Sequence, residues 1–340
     1  MDGNYIKYWV EFTEDDKKEW NNTVESSSTS WLYNTEGYIN HVEFYNTIAS
    51  PQPVFHNLTF GVFNPKNKLL GGITLYSMYP NEITTGLSGV FYQTYDKKIE
   101  KIIFDNLDNI VKQNKLKQIK IRISMLADDY TKGELTENYL LDYGYLYALS
   151  SIHLDTIENY KLRLIHLSKE KDILYKELGQ KCRNSINKAK KQDFETIIGN
   201  SDEIIRIYSE IKTKGQSKNQ KLPHGYYAMK NMVENLGDSC QIMVINYKGK
   251  PISASVYHCY KSGIFYWANG SVDGYKNLYP NNFSMWQMIE WGHDNGFEFL
   301  DIGNYYEYEL KNKKEYNVGK YKSSFGKDYI IPFYGLKIFK

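Results

Sequence analysis

One order of predicted elements occurs twice along this chain: three strands, then a helix, then a closing strand. The first copy begins at Leu58 and the second at Cys240. In both copies, apolar and β-branched runs flank a cluster of turn formers, such as residues 64–68, as they do in strand pairs. The next stretch, 98–115 in the first copy and 281–296 in the second, has apolar residues at helix spacing. The repeat predicts an α/β (α+β) protein with mixed sheets, built by duplication of one unit.

The length of the chain suits two such units. It has 340 residues, enough for two domains of roughly 150 residues each. We expect one domain over residues 1–150 and a second over residues 151–340. Alternation of charged and apolar residues near 158–167 predicts a strand that leads into a helical region. The first helix there is expected to begin after Ser168 as N-cap and to be interrupted at Gly179.

Composition excludes several classes of function. The formal net charge is +2, so no overall field draws the chain onto nucleic acid, DNA is not an expected partner, and any anion site must be local. No run approaches the roughly 20 apolar residues that span a bilayer. The N-terminal residues lack a signal-peptide pattern, and the three cysteines fit neither a zinc site nor a disulfide framework. We therefore expect a cytoplasmic protein without a metal, whose contact with the inner membrane face is at most peripheral.

Three stretches of the second half carry a resemblance to a known family. The first is a basic run, Lys-Cys-Arg-Asn-Ser-Ile-Asn-Lys-Ala-Lys-Lys, at 181–191. The second is Tyr-Trp-Ala-Asn-Gly-Ser at 266–271, which continues through 279–289 to Asp-Ile-Gly at 301–303. The third is Tyr-Lys-Ser-Ser-Phe-Gly at 321–326. In this order and spacing they resemble the FemABX family, the peptidoglycan-bridge aminoacyltransferases, and the wider GNAT-like acyltransferases.

The resemblance implies a fold and a reaction. It implies two tandem GNAT-like domains, N-terminal over 1–150 and C-terminal over 151–340, of which the second carries the motifs. It implies transfer of an aminoacyl group from aminoacyl-tRNA to an amine of a peptidoglycan or other cell-envelope precursor, with no metal and no cofactor. Residues 202–237 are too few for the long coiled-coil arm of some family members. The first half of the chain matches only in its order of elements.

Three residues are candidates for catalysis. Acyl transfer passes through a tetrahedral oxyanion, which a fixed cation stabilises. The resemblance places a lysine of the third motif in the active site, so Lys322 is the candidate cation, and its neighbour Tyr321 would line the same cleft. Asp301 ends an apolar strand and could accept the proton of the amine. The alternatives are a surface role for Lys322 and, for Asp301, a cap on the turn that follows it.

Four basic residues are candidates for binding the phosphates of the acceptor. Arg183, Lys190 and Lys191 belong to the basic run, and Lys214 follows the next helix. A solvated helix face is the alternative for the run. In peptidoglycan-directed members of the family an arginine often lies near the position of Lys214, and lysine cannot reproduce its bidentate contact.

The two leading hypotheses differ in the acyl donor. GNAT enzymes that use acyl-CoA hold its pyrophosphate on a glycine-rich loop at a helix N-terminus. Neither residues 269–275, which include Asp273, nor residues 86–90 form such a loop. This favours aminoacyl-tRNA. The runner-up is an N-acyltransferase with an acyl-CoA or carrier-protein donor, which modifies an amino sugar of a surface polysaccharide or glycolipid. A third reading is a catalytically silent binding module with the same double fold.

Overall fold

The chain divides into two units. Unit one comprises Met1–Glu158 with Pro332–Lys340, and unit two comprises Asn159–Ile331. The sequence-based boundary at 150/151 lies outside the described residues, and the last strand of the chain belongs to unit one. The computed structural model describes residues 3–49, 55–79, 82–86, 88–134, 139–147, 160–213, 224–306, 313–330 and 333–339.

Unit one contains a four-stranded and a six-stranded sheet, in the orders β1-β3-β4-β7 and β2-β5-β6-β8-β17-β9. One antiparallel hairpin contributes to both, because its strands bend at residues 58–59 and 74–75. At that corner Leu75 donates its N–H to Thr59 Oγ1 at 3.1 Å. The strands are β1 Tyr5–Tyr8, β2 His56–Asn57, β3 Phe60–Phe63, β4 Leu69–Ile73, β5 Tyr76–Tyr79, β6 Glu82–Thr84, β7 Val90–Tyr92, β8 Gln118–Arg122, β9 Leu146–Tyr147 and β17 Tyr334–Ile338.

A buried aromatic cluster fills the core beneath the four-stranded sheet. Trp20 is fully buried and meets Phe91 edge to face, with ring centroids 4.7 Å apart. A Cβ at Gly72 would lie 2.6 Å from the Trp20 ring, so glycine lets the indole approach the sheet. The helices of this unit are α1 Glu14–Ser26, α2 Glu36–Ala49, α3 Lys97–Gln113 and α4 Asp128–Thr131.

Unit two is built on a single seven-stranded sheet, in the order β11-β12-β13-β14-β15-β10-β16. Neighbouring strands are antiparallel except β14 and β15, which run parallel. The strands are β10 Tyr160–His166, β11 Phe194–Gly199, β12 Cys240–Tyr247, β13 Lys250–Tyr260, β14 Gly263–Ser271, β15 Phe299–Tyr306 and β16 Tyr329–Ile330.

The helices of unit two pack around this sheet. Its main hydrophobic core includes Ile186, Trp286, Met288 and Phe325, each exposed by 2% or less. The helices are α5 Lys171–Glu177, α6 Gln180–Ala189, α7 Asp202–Thr213, α8 Tyr226–Leu236, α9 Pro280–Asp294 and α10 Lys313–Ser323.

The α/β class with mixed sheets is confirmed, and the predicted order of strands and helix occurs in both units. The helical region after β10 is interrupted at Gly179, as predicted. Ser168 as N-cap is wrong, because α5 begins at Lys171 and Glu170 occupies the cap. In the described part of the chain the longest helix, α3, has 17 residues, so a long coiled-coil arm is absent there. None of the described helices has both the length and the apolar character that a membrane crossing requires.

Candidate active site

A cleft opens in unit two where two parallel strands diverge. β14 and β15 pair only from Gly263 to Phe265, opposite Phe299 to Asp301. Beyond that point β14 continues to Ser271 without pairing to β15. The register between β13 and β14 also shifts after Val256. The cleft that lies there has a volume of about 1010 Å³, which is large enough for a ligand of drug size.

The lining of this cleft combines cations, amides and aromatic rings. Among the described residues that line it, three are lysines and none is an aspartate or glutamate. The cleft therefore favours an anionic or electron-rich ligand. The lysines are Lys212, Lys276 and Lys322, and the aromatic and amide residues are His224, Tyr266, Trp267, Tyr321, Asn269, Asn281 and Asn317.

Lys322 enters the cleft from the last turn of α10. Burial lowers the pKa of its ammonium below the ordinary value of 10.5, and the nearby Asp301 carboxylate acts in the opposite direction. Gly303 allows this approach, because a Cβ there would lie 2.7 Å from Lys322 Nζ. The backbone at Gly303 also has a φ of +79°, which glycine adopts without strain.

Asp301 lies on β15, at the last position of this strand that pairs with β14. It is 2% exposed, and its Oδ1 accepts a hydrogen bond of 2.6 Å from the N–H of Gly303. This is the turn-capping contact that the sequence offers as the alternative to a base. Since the carboxylate also raises the pKa of Lys322, it can hold the turn and stabilise the ammonium together.

Tyr321 lines the cleft beside Lys322, but its hydroxyl is engaged. It donates a hydrogen bond of 2.8 Å to the carbonyl of Asn281 in the first turn of α9. Burial raises the pKa of this phenol well above its ordinary value, so it remains a neutral donor. Its ring meets that of Phe325 edge to face at 5.0 Å. The tyrosine therefore ties the end of α10 to the start of α9.

Arg183, Lys190 and Lys191, three of the four basic residues predicted to bind phosphate, are not among the residues that line this cleft. The Arg183 guanidinium donates to the carbonyls of Lys176, at 2.9 Å, and Leu178, and so caps the end of α5. Lys190 Nζ lies over the Trp286 ring, 5.3 Å from its centroid. Lys191 is exposed. Lys214 lies outside the described residues.

Two cleft residues had no role in the sequence-based reading. Trp267 lies between two histidines: the ring of His224 meets it edge to face at 4.9 Å, and that of His258 stacks on it at 5.4 Å. Burial lowers the pKa of His224 to about 4, and Lys212 adds to the effect. His224 is therefore neutral near pH 7, with Nδ1 3.0 Å from the Tyr208 hydroxyl. Trp267 falls in the second motif, but no pattern distinguishes His224.

The loop between β14 and α9 offers few donors to an anion. The Asp273 side chain is 93% exposed, and its Oδ1 lies 3.2 Å from Lys276 Nζ. Tyr279 has a φ of +61°, and Pro280, which has no N–H, is the first residue of α9. The helix N-terminus therefore lacks the run of glycine N–H groups that holds a pyrophosphate.

Metal ligands and reactive thiols are not prominent in the described part of the chain. No group of three or more histidine, cysteine or carboxylate side chains there is placed to hold a metal ion. Cys182, Cys240 and Cys259 are free and buried. Burial raises the pKa of the Cys240 thiol to about 12, which leaves it protonated and unreactive.

Comparisons with known proteins bear on the fold and on the kind of domain. A family model described as an acetyltransferase (GNAT) domain matches residues 178–317. FemX shares the fold over 98% of this chain and 97% of its own, with 12% identity and a TM-score of 0.69. No curated protein sequence matches the chain.

Two further solved structures share the fold. The C-terminal domain of a putative lysylphosphatidylglycerol synthetase from Agrobacterium fabrum has 12% identity and a TM-score of 0.54, over 95% of this chain and 91% of its own. A tandem GNAT protein from the clavulanic acid biosynthesis pathway has 8% identity and a TM-score of 0.54, over 98% of each chain. The fold predicted from the motifs is confirmed: the chain shares the fold of FemX and of the tandem GNAT protein, and its residues 178–317 match an acetyltransferase (GNAT) domain, as expected of an acyltransferase.

Proposed function

We propose that this protein transfers an aminoacyl group from aminoacyl-tRNA to an amine of a peptidoglycan or other cell-envelope precursor. The observation that carries the proposal is the position of Lys322, half-buried where β14 and β15 diverge in a GNAT-type domain. Tyr321 and Asp301 support that position through the contacts described above.

The chemistry requires one cation at the reacting carbonyl. The amine nitrogen attacks the ester carbonyl carbon of the donor, the new C–N bond forms, and the C–O bond to the ribose breaks. The proton that the amine loses is the one that the departing ribose oxygen needs. Lys322 would stabilise the oxyanion between these steps, and its partial removal from water strengthens that interaction.

The relatives support an envelope substrate. FemX shares the fold over almost the whole chain, and a second relative bears the name of a synthetase for lysylphosphatidylglycerol, a lysyl-modified phospholipid. The three lysines of the cleft would suit a donor or acceptor that carries phosphate. Of the basic residues expected to bind such phosphates, Lys190, Lys191 and Lys214 remain proposed contacts, whereas the Arg183 guanidinium is engaged at the end of α5.

The loop before α9 supports the choice of donor. Asp273 would repel a pyrophosphate there, and Pro280 removes one of the N–H groups at the helix N-terminus. An aminoacyl-tRNA does not require a pyrophosphate cradle, because its reacting group is an ester at the end of a nucleic acid.

One observation favours a second candidate. The family model that matches residues 178–317 describes acetyltransferases, and the divergence of β14 and β15 leaves room for an extended acyl carrier. An N-acyltransferase that uses acyl-CoA or an acylated carrier protein and modifies an amino sugar would fit these facts.

Binding and transfer assays separate the two candidates. We expect the full chain to move a labelled amino acid from charged tRNA to a UDP-linked muropeptide, and calorimetry to detect the muropeptide but only weak acetyl-CoA binding. Uncharged tRNA and an acceptor with a blocked amine are the controls. Micromolar binding of acetyl-CoA without binding of the muropeptide would contradict the proposal and favour the amino-sugar acyltransferase.

A further inference from the structure

Unit one contains a cavity that the proposed transfer does not use. It lies beside the end of β7, the first turn of α3 and the helix α4. Its volume is about 250 Å³, whereas pockets for drug-sized ligands usually measure roughly 300–1,000 Å³. It has room for a small molecule, or for the end of a longer one.

Four tyrosines line this cavity: Tyr92, Tyr95, Tyr130 and Tyr139. Tyr92 is 4% exposed and Tyr95 is 59% exposed, so the first lies inside and the second at the rim. Their rings meet edge to face, with centroids 5.6 Å apart. Because the faces of phenol rings carry partial negative charge, a group of them attracts a cation.

Three carboxylates accompany the rings: Glu100, Asp129 and Glu134. No lysine or arginine is among the described residues that line the cavity. Glu100 is 1% exposed, and its oxygens accept hydrogen bonds from Tyr143 at 2.8 Å and from Tyr92 at 3.3 Å. Three carboxylates without a lining cation give the cavity a negative potential, which favours a positive ligand.

Lys97 already makes the expected type of contact beside the cavity. Its Nζ lies 2.9 Å from Glu100 Oε1 and 5.2 Å from the centre of the Tyr143 ring. The Lys97 side chain is 60% exposed, so its ammonium can exchange this contact for water. Burial, followed by the hydrogen bond to Glu100, raises the pKa of Tyr143 to about 12, which keeps the phenol a neutral donor at physiological pH.

We propose that this cavity binds the ammonium group of a small organic cation, with the tyrosine faces around it and Glu100 as its counter-ion. The combination of rings, buried carboxylate and volume is the basis for this assignment. Primary and quaternary ammonium ions both carry the positive charge that the rings and the carboxylate would hold. A primary ammonium would add hydrogen bonds to the carboxylates, and a quaternary one would use the ring faces more fully.

Calorimetry on the full chain tests the proposal. The titrants are n-butylammonium, choline and tetramethylammonium chlorides, with the ionic strength held constant by sodium chloride. The neutral isostere 3,3-dimethylbutanol controls for apolar binding. We expect saturable binding of at least one ammonium ion, and at least about tenfold weaker binding of the alcohol, since loss of the charge removes the cation–π and ionic contacts.

Two substitutions with opposite expected signs sharpen the test. Tyr95→Ala removes an exposed ring at the rim and should weaken ammonium binding by about fivefold, within the range of a single cation–π contact. Lys97→Gln removes the competing cation and should strengthen binding severalfold. Tyr227→Ala, at a tyrosine of α8 that is 75% exposed, is the matched control and should change nothing.

Three outcomes would overturn the proposal. The first is the absence of saturable binding of any of the three ammonium ions at concentrations of about 100 mM, far weaker than a formed site provides. The second is equal binding of the neutral alcohol. The third is weaker binding in Lys97→Gln while circular dichroism shows that the variant is folded. Binding of only the primary or only the quaternary ions supports the proposal and identifies which class of ammonium ion the cavity selects.

Discussion

The main cleft of unit two and the cavity of unit one are opposite in charge. The first is lined by Lys212, Lys276 and Lys322, and the second by carboxylates such as Glu100. Yet the two units repeat one order of strands and helix. In both, the residues that set the charge lie mainly on helices and loops near strand ends, where substitution disturbs the sheet least. The charge of each site is therefore set independently of the repeated order of strands and helix.

The sheets of the two units differ as well. β13 of unit two has 11 residues, whereas β4 of unit one has 5. In unit one the hairpin bends at residues 58–59, and its strands are shared between two sheets. In unit two the corresponding hairpin is unbroken, and only β14 and β15 diverge. The cleft of unit two therefore lies on a longer continuous sheet than unit one contains.

The largest expected effect is the loss of the cation from the cleft of unit two. Lys322→Ala should lower turnover by about 10²–10³-fold, as loss of an oxyanion contact does, and change acceptor affinity little. Lys320→Ala is the matched control, because Lys320 lies on the same helix but is exposed and rests over the Tyr316 ring at 4.5 Å. Equal turnover in the two variants would show that Lys322 is not a catalytic residue.

The next effect concerns pH and the same cleft. The pKa of His224 is lowered from 6.5 to about 4. Between these two pH values the imidazole is protonated in the unfolded chain and neutral in the folded chain. Stability should therefore fall as the pH falls through this window, by about 1–2 kcal/mol after allowance for partial exposure.

Urea unfolding at pH 7 and pH 4.5 measures this contribution. His224→Gln should lose less stability than the parent chain between the two values, whereas His56→Gln, at an exposed histidine of unit one, should behave like the parent. An unchanged pH dependence in His224→Gln would mean that this histidine is not held neutral by the cleft.

The last effect tests whether Arg183 serves the fold or the acceptor. Arg183→Gln removes the cap on α5 and should lower the free energy of unfolding by about 1–2 kcal/mol, with the acceptor KM unchanged. Lys181→Gln, at an exposed neighbour on the same helix, is the control. A raised KM with unchanged stability would instead support the phosphate contact expected from the sequence.

Strong periodicity made much of the fold predictable. The alternation in β10 and the apolar stripe of α3 identify these elements directly. α1 was not identified, because Trp20 and Val24 are the only apolar residues among its 13 and leave no clear stripe. β17 was not identified either, since its partner β8 lies more than 200 residues earlier and long-range pairing leaves no local pattern.

The candidate site was partly predictable for a related reason. Lys322 and Tyr321 belong to a motif, and both line the cleft. The basic run of 181–191 gave no sign that Arg183 caps a helix, because a cap depends on the geometry of the preceding turn. His224 enters the cleft only through the packing of helices on the sheet, which sequence spacing does not record.

The position of β17 has a consequence for synthesis of the chain. This strand pairs with both β8 and β9, so the six-stranded sheet of unit one is incomplete until residue 338 has left the ribosome. The strands of unit two end at Ile330, and that sheet can close first. Until β17 has been synthesised, β8 of unit one therefore has an unpaired edge, although most residues of unit one are made first. A chain that ended before β17 would leave that edge exposed to association with other chains.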